Sequence, residues 1–103
     1  MARHTFSGIR QAKYDQMLAA NEEATLGMPL SELERYLQGV EDRYQARAGD
    51  LFRDLMERRG ATQELLQSNY GAWEALREQC LVQAGEVALA EAFAEPAPIP
   101  IPS

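Results

Sequence analysis

Residue choice, apolar spacing and helix punctuation together predict an all-α fold. Alanine and leucine supply most of the 46% hydrophobic content, whereas valine, isoleucine and threonine occur three times each. Alanine and leucine lose little side-chain freedom in a helix, while β-branched residues favour strands. So few β-branched residues leave little material for a sheet. Apolar residues also recur in steps of three and four along much of the chain, which keeps one helix face in line. Start and stop residues then divide the chain into a first helix over about residues 7–24, a long antiparallel hairpin over about 31–59 and 62–94, and a proline-rich tail.

The first helix is predicted to start at Thr5 or Ser7, either of which has a hydroxyl suited to capping. Ile9, Ala12, Met17, Ala20 and Ala24 fall within one broad arc, with Tyr14 and Leu18 beside it. Gly27 suits a C-terminal cap, and Pro29 prevents the helix from continuing.

The second helix opens on Ser31-Glu32-Leu33-Glu34, which reads as a capping box with Ser31 as N-cap and Glu34 reaching back. Leu33, Leu37, Val40, Tyr44, Ala48, Leu51 and Leu55 form its stripe, widened by Tyr36, Phe52 and Met56. Glu57-Arg58-Arg59-Gly60 ends it, with cations in the last turn and glycine just beyond. At 1.5 Å per residue, such a helix is about 40 Å long.

Thr62 is predicted to cap the third helix, whose stripe reads Leu66, Tyr70, Trp73, Leu76 or Arg77, Cys80, Ala84 and Val87. Glu95-Pro96 stops it. A connection as short as Gly60-Ala61 makes the second and third helices antiparallel neighbours. The first helix is expected either to pack across them, completing a three-helix bundle, or to project away from them. Glycines at 39, 49, 71 and 85 interrupt the predicted helices, each costing about 1 kcal/mol relative to alanine. Either close helix–helix approach, with Gly39 and Gly49 near Gly85 and Gly71, or a local bend explains them.

Residues 1–95 therefore read as one helical domain, and residues 96–103 as an extended tail. That tail alternates proline with small or apolar residues, a polyproline II pattern, and carries Ile99 and Ile101 without any charge. No apolar run approaches a membrane span, and the start MARHTFSGIR lacks the apolar core of a secretory signal. With a single cysteine, Cys80, and hence no internal disulfide, the expected location is cytoplasmic.

Chemistry is constrained in the same way. Nucleophilic catalysis by a Cys–His pair needs both groups within hydrogen-bond reach. Here His4 and Cys80 stand far apart in sequence, and no glycine-rich phosphate loop occurs. One histidine and one cysteine make no zinc site, and the acidic pairs match neither an EF-hand nor a di-iron helix pattern. The expectation is a protein without enzymatic activity, metal or cofactor. A net charge of −6 repels phosphate backbones, so nucleic-acid binding is disfavoured. Arg43, Arg47, Arg53, Arg58 and Arg59 alternate with acidic neighbours and read as intrahelical ion pairs.

What remains is protein binding. The leading expectation is a structural or assembly subunit of a larger complex or homo-oligomer, for example in a phage or bacterial particle. The alternative is a small acidic antagonist, phage-encoded or of immunity type, that occupies a basic groove on its target. Candidate partner-binding residues are the aromatic anchors Tyr14, Tyr36 and Phe52, the acidic residues Glu32, Glu34, Glu41 and Asp42, and Ile99 and Ile101 of the tail.

Overall fold

The computed structural model describes residues 3–96. They form α1 (Ile9–Ala20), α2 (Glu22–Leu26), α3 (Leu30–Arg58), α4 (Gln63–Ser68) and α5 (Tyr70–Ala94). No strand occurs among the described residues, in accord with the all-α expectation. None of these helices is long and apolar enough to cross a membrane. The tail beyond Pro96, with Ile99 and Ile101, lies outside the described residues.

Two predicted helices are each split in two, and an asparagine makes both breaks. Asn21 (φ −159°, ψ 87°) ends α1 and caps α2, its side chain accepting a hydrogen bond from Ala24 N. Asn69 (φ −152°, ψ 81°) ends α4 and accepts from Ala72 N in the first turn of α5 at 3.2 Å. These are the only two asparagines in the chain. A short polar side chain that bonds nearby backbone offers the chain an alternative to continued helix. Asn69→Ala is expected to remove about 1 kcal/mol of stability through the lost cap. Chemical denaturation of the variant measures this directly.

Other predicted ends are shifted. α1 starts at Ile9 with Gly8, not Thr5 or Ser7, in the cap position; Gly8 has φ 59°, a conformation that favours glycine, and the position has no side-chain cap. The Ser7 hydroxyl accepts from Arg10 instead. α3 begins at Leu30, with Leu33 N donating to the Pro29 carbonyl, so Ser31 lies inside the helix and the predicted capping box is not its start. Pro29 needs no N–H there and its fixed φ favours an early start.

The stop at Gly60 is as predicted. Gly60 has φ 72°, Gly60 N donates to the Glu57 carbonyl and Ala61 N to that of Met56, a Schellman ending. Thr62 caps α4 by accepting from Leu65 N.

The chain divides into two compact units, Met1–Arg43 with Ala92–Ser103, and Tyr44–Glu91. In the first, Tyr14, Met17 and Leu18 of α1 share a core with Leu33 and Leu37 of α3, and Phe6, Leu26, Met28 and Tyr36 pack against it. The buried face of α1 is thus centred on its large residues, not on Ile9, Ala12 and Ala20 as the broad predicted arc had it; Ala12 and Ala20 are exposed. Thr25 is buried too, and its hydroxyl donates to the Met17 and Asn21 carbonyls across the α1–α2 break.

Lys13, the only lysine, is 2% exposed. Its ammonium donates to the carbonyls of Ala92, Phe93 and Glu95 at 3.1, 3.2 and 2.9 Å, capping the end of α5. Burial pushes the Lys13 amine below its ordinary pKa, and the Glu95 charge partly opposes that.

Within the second unit the buried residues are small ones on α5, Cys80, Ala84 and Ala88, one helical turn apart. Every large apolar side chain there is half-buried or exposed. Arg47 holds Glu91 through two hydrogen bonds, and Arg59 donates to Gln83. The predicted stripe through Tyr70 and Val87 is therefore displaced, for both residues are exposed.

Candidate protein-interaction surface

The predicted aromatic anchors have different fates. Tyr14 is fully buried and its hydroxyl accepts from His4 N, so this side chain offers no surface to a partner. Its ring instead meets Phe6 edge-on, with centroids 5.2 Å apart. Tyr36 is half-buried and its hydroxyl donates to the Pro96 carbonyl, within the first unit. Burial, reinforced by the Glu95 carboxylate, raises the Tyr36 phenol above its ordinary pKa, while Arg43 opposes this. Phe52 is half-buried in the second unit.

Half of the predicted acidic group is engaged within the chain. Glu41 pairs with Arg10 at 3.3 Å, and Asp42 accepts from Gln38 at 3.0 Å. Glu22, nearby in sequence, pairs with Arg3. Glu32 and Glu34 are exposed, and Glu34 lines an open polar cleft with Ser7, Arg10, Ser31 and Arg35. Of the predicted ion pairs along α3, Arg53–Asp50 and Arg58–Asp54 are formed inside the helix. Arg43 instead takes Glu95 in a two-pronged bond that holds its guanidinium above its ordinary pKa.

Glycine placement differs from the close-approach expectation. A methyl added at Gly39 would meet the Arg43 guanidinium at 2.9 Å, and one at Gly85 the Tyr44 hydroxyl at 3.7 Å. At Gly71 the nearest atom is the Asn69 side-chain oxygen at 3.9 Å, and at Gly49 nothing lies within 4 Å. These four glycines do not pack on one another.

Sequence reading passed over the exposed face of α5. Leu81 and Val82 are 44% and 61% exposed, and Val82 lines an open groove of about 580 Å³ with Arg59, Glu78, Gln79, Gln83 and Glu86. The available signal was that apolar residues occur all round this helix, which marks a helix meant to be covered on more than one side. Among the described residues no group of three or more His, Cys, Asp and Glu side chains is arranged to hold a metal ion.

Comparison with protein-family models, with curated proteins and with solved structures finds no match for this chain.

Proposed function

We propose that this chain is a non-enzymatic interaction protein, an assembly subunit whose Tyr44–Glu91 unit is completed by another protein. The observation that carries the reading is the composition of that unit's interior. Only Cys80, Ala84 and Ala88 are fully buried there, while Leu51, Phe52, Leu55, Met56, Leu66 and Trp73 are half-buried. Burial of apolar area is the main favourable term in folding and association alike, at about 25 cal/mol per Å². Side chains left partly exposed therefore keep some stabilisation in reserve for a partner to realise.

The architecture that suits this role is the antiparallel hairpin of α3 with α4 and α5, with α1 completing a three-helix bundle. Its support inside the second unit is that Arg47 of α3 meets Glu91 and Arg59, just past the end of α3, meets Gln83, so the partners fall on α5 as the positions rise toward the turn. The acidic-antagonist reading ranks second, because Glu41 and Asp42, two of its four named carboxylates, are engaged within the chain.

Size fractionation of an extract from the cells that make the protein tests the reading. The chain is expected to travel in a species well above its own 11.5 kDa. Recovery only at the mass of the free chain, after gentle cross-linking, would contradict it.

A further inference from the structure

Resting on that reading, we infer that the exposed face of α5 is the docking site for a basic amphipathic helix of a different protein. Gly71, Ala75, Glu78, Val82, Gly85 and Leu89 follow one another in alternating steps of four and three. That is the spacing of a seam that receives a second helix. The first four are exposed and the last two half-buried, with the Tyr44 hydroxyl beside Gly85, so the line is open from Gly71 to Val82 and partly covered beyond it. Its small members matter for the same reason. Neither Gly71 nor Gly85 is demanded by packing inside the chain, since an added methyl would meet nothing closer than 3.9 and 3.7 Å respectively. A glycine weakens a helix, and here what it provides is room for a partner backbone to come close to α5. Val82, in the middle of that line, also borders an open groove lined by the stems of Arg59, Glu78, Gln79, Gln83 and Glu86, with room for one inserted side chain.

Charge decides the occupant. Glu74, Glu78 and Glu86 are exposed on this face and form no ion pair among the described residues, whereas Glu22, Glu41, Glu91 and Glu95 are each held by an arginine. A second copy laid antiparallel across Val82 would bring Glu78 against Glu86, and a parallel copy would bring Glu78 against Glu78. Like charges placed directly opposite oppose pairing in either orientation. Lysine or arginine flanking an apolar stripe on the partner meets all three carboxylates instead, which steers association and fixes register.

The probe is a synthetic helical peptide of about three heptads, with leucine on its seam and lysine on both flanks. A control peptide carries glutamate in place of lysine. Fluorescence anisotropy with the full chain is expected to show the lysine peptide binding at least tenfold more tightly. Val82→Glu should weaken that binding at least tenfold while leaving the circular dichroism unchanged. Because the substitution adds a charge that attracts lysine, its loss of affinity reports the apolar contact. Gly85→Ala should weaken binding without lowering Tm, and the Glu78→Gln, Glu86→Gln double variant should flatten the dependence on salt.

Equal affinity for both peptides, or no saturable binding of the lysine peptide, overturns the inference. So does a dimer of the chain alone that Val82→Glu abolishes, which would give the face to a second copy. Tighter peptide binding after deletion of residues 97–103 would give it to the tail. A large native species that Val82→Glu leaves intact removes this docking site but leaves the assembly reading standing. Recovery only as free chain removes the assembly reading itself.

Discussion

Replacing Leu37 by alanine is expected to lower the free energy of unfolding by about 3–4 kcal/mol. Leu37 is fully buried in the cluster that joins α1 to the start of α3, so truncation removes apolar contact and leaves a cavity. Leu51, on the same predicted stripe but half-buried, is expected to cost about half as much. Urea denaturation of both variants makes the comparison. Equal losses at the two positions would mean that the two units have interiors of the same quality, contrary to the burial pattern.

Removal of Lys13 has the second large effect. Lys13→Ala is expected to cost about 2–3 kcal/mol, because the last carbonyls of α5 lose their donor and the buried stem leaves a gap. Lys13→Met keeps most of the stem, so it isolates the three hydrogen bonds and should cost less. The sign of the pH dependence follows from the lowered pKa of this amine. Folding disfavours its charged form, so the unfolded chain binds the extra proton between the folded pKa and the ordinary lysine value. Stability therefore rises with pH across that window, and the full cost of burying the charge is present below it. The Tyr36 phenol, raised in the folded state, acts in the opposite sense above the ordinary tyrosine range. The difference in stability between parent and Lys13→Met cancels the Tyr36 contribution. It should grow as the pH rises toward the ordinary lysine value, and a flat difference would mean that folding does not shift this amine.

Much of this pattern was legible in residue order. Leu33, Leu37 and Val40 are buried where periodicity places them, and Gly60 and Thr62 end and restart the chain as their chemistry requires. The asparagine breaks were not read, because apolar spacing runs on across Asn21 and Asn69 and asparagine is only moderately unfavourable in a helix. Glu22-Glu23 after Asn21 was the available sign, since two acidic residues following an asparagine suit a new helix start.

Lys13 was missed because lysine is almost never fully buried. It stands among nine arginines as the one basic residue with a slender stem and a compact donor, which a cap of three carbonyls needs. Tyr14 was misplaced for a related reason: spacing alone set it at the edge of an alanine-rich arc, but the larger side chain takes the interior. The α5 face was hidden by its own uniformity, since apolar residues all round a helix erase the periodic contrast on which sequence reading depends.

Native-state hydrogen exchange on the isolated chain tests most directly whether the Tyr44–Glu91 unit is incompletely closed by its own residues. Amides of residues 71–89 are expected to exchange through openings that cost much less than global unfolding. Amides of residues 14–18 and 33–40 should exchange only when the whole chain unfolds. Equal protection in the two sets would show that small residues close the second unit as well as large ones close the first. That result would remove the ground for a partner.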